Sequence, residues 1–246
     1  MINDLFASAV GTSIAELVTL PICIIKTNYQ TNLSHKSIIE CTKSVYHQHG
    51  LRIFYTSSYS AIFSQVVSTS TKYTFYHNIK HYRQTKDNDI LNNMLNGTVG
   101  GIMGSLLAHP FDVMKILQQQ KISYLNEYRK IGYKLIYRGY TKSFAKTITL
   151  ACLLFPTYDF YKSKIDKYEN IPNKSIVASI MTTLSINLFT QPIDYLKVRG
   201  VSNLEMYSHK NIFHYYRGFH LNLMRTMPHF TITMYITEKV KKYMNK

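Results

Sequence analysis

Residues 108–120, AHPFDVMKILQQQ, place a proline two residues before an aspartate and five before a lysine, at the end of an uncharged run from Ile90 to His109. The arrangement returns 82 residues later as TQPIDYLKVRG and, altered, 89 residues earlier as TLPICIIKTNYQ. With Pro21, Pro110 and Pro192 superposed, other features fall into step. A glycine or asparagine leads by seven residues to a small residue in GLRIFYTS (Gly50 to Ser57), GYKLIYRG (Gly132 to Gly139) and NIFHYYRG (Asn211 to Gly218). Twenty residues further on comes a polar or charged side chain with a lysine three later: His77 and Lys80, Asp159 and Lys162, Glu238 and Lys241. Matching registers of this kind define an internal repeat, divided here as 1–82, 83–165 and 166–246.

The charge pattern says what the repeats are made of. Residues 5–25 carry one charge, Glu16, while 53–71, 90–111, 147–158, 175–193 and 226–237 carry none, histidine counted as neutral. About 20 mostly apolar residues cross a bilayer core. Four of the six runs reach or approach that length, and the two short ones are extended by flanks holding one cation each, Lys146 and Arg225. A mean hydropathy of −0.14 and many Ser, Thr and Asn residues within the runs fit a soluble protein or a helix bundle with polar stripes around a water-filled cavity. Each repeat reads as a long helix with an internal proline, a basic loop with a short amphipathic helix, and a second long helix. Gly97 with Gly101, Gly100 with Gly104, and Ala7, Gly11 and Ala15 stand four apart, the spacing that lets helix backbones approach.

The formal charge of +16 calls for an anionic partner: nucleic acid, phospholipid headgroups or an acidic metabolite. A nucleic-acid binder concentrates its cations on one element among stacking aromatics, whereas here basic segments alternate with uncharged ones. Enzyme chemistry finds no foothold. The histidines lack metal-ligand spacing, and neither a Gly-rich phosphate loop nor a nucleophile elbow occurs. Cys23, Cys41 and Cys152 fit neither a disulfide framework nor a zinc site and read as small buried or half-buried residues. No metal or cofactor is implied. The N-terminal residues MINDLFASAVGTSIAELV have the marks of neither a secretory signal nor an arginine-rich transit peptide, so any organellar address is expected to be internal.

Pro-x-acid-x-x-base-x-base followed by aromatic-base-Gly, three times over the whole chain, resembles the mitochondrial carrier family. The third copy is complete (Pro192, Asp194, Lys197, Arg199, then Tyr216, Arg217 and Gly218), the second has Leu117 for the last cation, and the first has Cys23 for the carboxylate, Asn28 for the last cation and YTS for aromatic-base-Gly. The resemblance implies an all-α membrane protein with six transmembrane helices in three tandem two-helix repeats, pseudo-threefold symmetry and short matrix-side amphipathic helices. It implies a monomeric, multi-pass transporter of the mitochondrial inner membrane, neither an enzyme nor a nucleic-acid binder, with a small anionic metabolite and the bilayer, anionic phospholipid included, as its partners.

Proline lacks the helical donor and clashes with the preceding turn, so a kink is predicted at Pro21, Pro110 and Pro192. Residues two, five and nine beyond the proline share a face, aligning Asp112, Lys115 and Gln119. By the resemblance these faces meet as a matrix-side gate of Lys26, Gln30, Asp112, Lys115, Asp194 and Lys197. Asp112 is expected to pair with Lys197 and Asp194 with Lys26, Gln30 bracing from below, while Lys115 faces Cys23 and loses its ionic partner. An opposite gate is expected from His77, Lys80, Asp159, Lys162, Glu238 and Lys241. With two carboxylates each, both gates are expected to be weak.

The family's substrate contacts lie seven residues after the glycine of aromatic-base-Gly, giving Ser64, Lys146 and Arg225, with Thr147 beside Lys146. A cation inside a membrane segment implies function, and Lys146 and Arg225 lie too deep to snorkel. Lys72 is a further candidate cation, set against a lipid-facing or packing role. Glu16 either binds an amine or neutralises a cation. The substrate is expected to be an anion exchanged by alternating access, a nucleotide or deoxynucleotide in preference to a carboxylate, with a carrier of the S-adenosylmethionine type as a further alternative.

Overall fold

The computed structural model describes residues 2–83, 90–165, 167, 174–205 and 211–244, most of them helical. Six long helices alternate with short ones: α1 (Ile2–Thr31), α2 (Ile38–His49), α3 (Ser58–Tyr82), α4 (Ile90–Gln119), α5 (Tyr124–Ile131), α6 (Tyr140–Ile165), α7 (Lys174–Val201) and α8 (Phe219–Met244). At 1.5 Å per residue, even the 25 residues of α3 span more than the ~30 Å of a bilayer core. The expected third short helix would fall largely on 206–210, outside the described residues.

The long helices form a closed ring. α1 packs on α3, α3 on α4, α4 on α6, α6 on α7, α7 on α8, and α8 returns to α1. The contacts that join one repeat to the next (α3 on α4, α6 on α7, α8 on α1) are the most extensive. Small residues explain two of them. A Cβ on Gly100 would meet the Lys72 carbonyl at 2.9 Å, and one on Gly104 the Ser68 carbonyl at 2.9 Å, so the α3 backbone runs directly across these glycines. A Cβ on Gly11 would likewise meet the Thr233 carbonyl of α8 at 2.9 Å. Gly97, expected to pack in the same way, faces open space.

All three motif prolines lie inside their helices, which run on to Thr31, Gln119 and Val201, and Pro156 and Pro228 lie inside α6 and α8 as well. Past the motif, each chain turns through a loop whose geometry its sequence sets. The Ser37 hydroxyl accepts from the Glu40 amide (3.1 Å) and starts α2, whose Cys41 and Val45 pack on Leu20, Ile24, Ile53 and Ala61. A second cluster joins Val113, Ile116 and Leu117 of α4 to Leu135 and to Val198 and Val201 of α7. Gly139 and Gly218 adopt φ of +76° and +84°, the left-handed region in which a Cβ is strained. Ser57, their counterpart in the first repeat, has φ −96°, which explains why that repeat dispenses with glycine there. Arg217, from the complete aromatic-base-Gly element, donates to the carbonyls of Tyr29 (2.5 Å), Asn32 (3.0 Å) and His35 (2.5 Å) and lies over the Tyr29 ring. It thereby ties the last loop to the end of the first helix.

Polarity is arranged for a lipid solvent. Glu16, Lys26, Gln30, Gln119 and Asp194 are buried, whereas Phe6, Val18, Phe63, Leu107, Phe189 and Phe230 are exposed on the long helices. Among the described residues only α1 (5–31) is apolar enough to cross a membrane by mean hydropathy. The other long helices average out because their polar faces turn inward.

Candidate functional site

The first long helices of the three repeats, α1, α4 and α7 (the odd helices, with α3, α6 and α8 the even ones), meet near their C-terminal ends, the ends that lead into the short-helix loops. There Lys26 Nζ lies 2.5 Å from Asp194 and Lys197 Nζ 2.8 Å from Asp112. Both pairs join residues from different repeats. Lys115 does not lose its partner, contrary to expectation: it pairs with Glu16 of α1, which is fully buried. Glu16 stands seven residues, or two turns, before Cys23, so both occupy one face of α1, and a lysine stem is long enough to reach the higher position.

The expected substrate contacts are part of the same network. Ser64 of α3 donates to Asp112, Lys146 of α6 pairs with Asp194, and Arg225 of α8 reaches Glu16 at 2.9 Å. Each carboxylate therefore holds one lysine from an odd helix and at least one side chain from an even helix. Three carboxylates take part where two were expected, Glu16 and Asp194 buried and Asp112 half-buried.

Further participants escaped the sequence reading. Asn222 accepts from Lys26 (2.7 Å) and donates to Asn187 (2.7 Å). Gln65 donates to Glu16 at 3.1 Å, and His229 Nε2 lies 3.3 Å from the same carboxylate. A sequence signal was available: Gln65 adjoins Ser64, and Asn222 and His229 stand three before and four after Arg225, on its helix face. Gln119, expected on the face of Asp112 and Lys115, takes part as well. Its side-chain carbonyl accepts from Thr27 (2.6 Å) and its amide lies 3.5 Å from the Cys23 sulfur, closing α1 against α4. Gln30, expected to brace an ion pair, instead donates to the Arg217 carbonyl (3.2 Å) and anchors the last loop.

A cavity of about 300 Å³ opens on this network. Ser64, Lys72, Lys146, Thr147 and Arg225 line it together with Lys26, Lys115, Lys197, Asp112 and Asp194, so the candidate contact residues share one wall system. Thr147 spends its hydroxyl on the Ser143 carbonyl (3.0 Å) and offers the cavity little else. The stem of Lys72 lies over Gly104, where a Cβ would meet Lys72 Cγ at 2.6 Å. At the far end Asp159, Lys162 and Glu238, three of the six residues expected in the opposite gate, are exposed, and Lys162 lies over the Tyr158 ring. No His, Cys, Asp and Glu cluster suited to a metal ion occurs among the described residues.

Comparison with known proteins agrees with this architecture. The family model described as mitochondrial carrier protein matches residues 1–87 and 86–169. A mitochondrial carrier-like protein of Acanthamoeba polyphaga mimivirus is 40% identical over 245 residues, covering 98% of both chains. A mitochondrial thiamine pyrophosphate carrier of Lodderomyces elongisporus is 21% identical over 97% of this chain and 89% of its own. A mitochondrial coenzyme A transporter of Xenopus tropicalis is 25% identical over 62% of this chain and 55% of its own. With a ring of paired helices, proline motifs at one end and a charged cavity above them, the chain belongs to the mitochondrial carrier family and is a transporter, not an enzyme.

Proposed function

We propose that this carrier moves a small phosphorylated anion, a nucleotide or deoxynucleotide, across the mitochondrial inner membrane by alternating access. The observation that carries the reading is the charge of the cavity. Lys26, Lys72, Lys115, Lys146, Lys197 and Arg225 line it, against Asp112 and Asp194, with Glu16 bonded just behind. Once each carboxylate is matched with its odd-helix lysine, Lys72, Lys146 and Arg225 remain as surplus. Their three positive charges suit a polyphosphate better than a monocarboxylate. The names of the two distant relatives, thiamine pyrophosphate and coenzyme A, belong to molecules that both carry a diphosphate, which supports the same class. Glu16 is already shared among Lys115, Arg225 and His229, which speaks against an amine ligand such as S-adenosylmethionine.

The test is uptake into liposomes by the purified chain, with labelled nucleoside triphosphates, deoxynucleotides, coenzyme A, thiamine diphosphate, carboxylates and S-adenosylmethionine offered in turn. Uptake of a phosphorylated anion is expected, reduced roughly 30-fold or more in Lys146→Ala and Arg225→Ala, since losing one partner of a desolvated charge pair costs about 2–5 kcal/mol. Uptake confined to carboxylates or to S-adenosylmethionine would overturn the phosphate assignment.

A further inference from the structure

We propose that Glu16 is the third gate carboxylate of this carrier, displaced two turns along α1 from the motif position that Cys23 occupies. The inference rests on the transport reading, because a gate has meaning only in a carrier.

The partners of Glu16 carry the argument. Asp112 and Asp194 each stand two residues after a motif proline. Each takes the lysine five residues after a motif proline in another repeat, Lys197 and Lys26, and the side chain seven residues after the small residue that opens an even helix, Ser64 and Lys146. By the same rule a carboxylate at position 23 would take Lys115 and Arg225. Glu16 holds both. A carboxylate placed there only to bind an amine, or to neutralise one cation, has no reason to collect the two partners that the repeat assigns to another position.

The displacement is possible because seven residues bring the helix back to within about 20° of its starting direction, some 10 Å further along the axis. It leaves Cys23 under the ion pair, against the Gln119 amide, with Thr27 and Gln119 closing the lower level. Two struts of the gate thus stand at the motif level and the third two turns further along α1, its Lys115 and Arg225 lining the cavity with Glu16 behind them.

The test is a double-mutant cycle on the full chain: the parent, Glu16→Gln, Cys23→Asp and the two together, followed by thermal unfolding in detergent and by uptake of labelled ATP, dATP and coenzyme A into liposomes. Glu16→Gln is expected to lower Tm by about 5 °C or more, and Cys23→Asp in the same chain to return most of the loss, because it restores a carboxylate within reach of Lys115 at the motif level. A merely structural or merely ligand-binding Glu16 gives no such rescue. Failure of Cys23→Asp to recover Tm overturns the proposal, as does an unchanged Tm in Glu16→Gln with uptake lost. If Glu16→Gln alone yields no folded protein, folded double variant supports the proposal and its absence overturns it. If the parent takes up none of the three probes, the substrate reading fails while the thermal cycle still decides the gate.

Discussion

Asp194 accepts from two lysines at once, Lys26 and Lys146, and Lys26 is in turn held by Asn222. The Lys26 and Asp194 side chains are 6% and 10% exposed, against 16% and 30% for Lys197 and Asp112. Burial makes the first pair the costlier to break. Removing one member of a buried pair strands the other and costs about 3–5 kcal/mol, whereas water reaching Asp112 screens part of the same loss. Asp194→Asn is therefore expected to lower the unfolding temperature clearly more than Asp112→Asn, and equal shifts would show that burial does not rank these pairs. Both pairs were legible in the sequence, since fixed offsets from proline name their members. The Glu16 to Lys115 pair was not, because it leaves the offset. Only the seven-residue relation between Glu16 and Cys23 pointed to it. That the contact residues Lys146 and Arg225 reach down to gate carboxylates was equally hidden, as it depends on how far long side chains bend, which spacing along a helix does not contain.

At the scale of helices, four-residue spacing of small residues announced close packing but could not say which glycines face a neighbour. Gly100 and Gly104 lie against the α3 backbone, while Gly97, on the same helix and just as small, faces nothing within 4 Å. Gly104→Ala is expected to destabilise the protein by about 1–3 kcal/mol, since the new methyl must push α3 away. Gly97→Ala is expected to be neutral or to stabilise by up to about 1 kcal/mol through helix propensity alone. Thermal unfolding of the two variants side by side checks the assignment, and a larger loss in Gly97→Ala would refute it. The short helix α2 carries a second test. Cys41 is fully buried beneath it, and burial pushes its thiol up to about 11. At pH 7 only about one molecule in 10,000 then holds a thiolate, the species that alkylates. Cys152, read from sequence as buried or half-buried, is exposed on α6. In detergent, maleimide is expected to label Cys152 promptly and Cys41 only as the protein unfolds, a difference that mass spectrometry of the labelled peptides resolves.

For the whole molecule, the sequence carried the threefold repeat and the helix pairing but concealed the state in which the helices meet, because a gate that opens and closes has one sequence and two geometries. Hydropathy concealed still more. Averaged around a helix, polar residues facing a cavity cancel apolar ones facing lipid, so α4 and α7 fail a test that their outward faces, with Leu107 and Phe189 exposed, would pass. With odd helices tied at the short-helix end and Asp159 and Glu238 exposed at the other, access to the cavity is expected to be one-sided. Ser68 lines that cavity above the ion pairs. In a chain whose own cysteines are replaced by serine, Ser68→Cys is expected to react with a membrane-impermeant thiol reagent added from the side of Asp159 and Glu238. Reagent confined to the short-helix side is expected to leave it unmodified. Adding Asp194→Asn to this chain removes the acceptor that two lysines share and should admit reagent from the short-helix side as well. Equal labelling from both sides before that change would mean that the three ion pairs do not seal the cavity, and labelling from neither side after it would mean that they are not what holds the helices together.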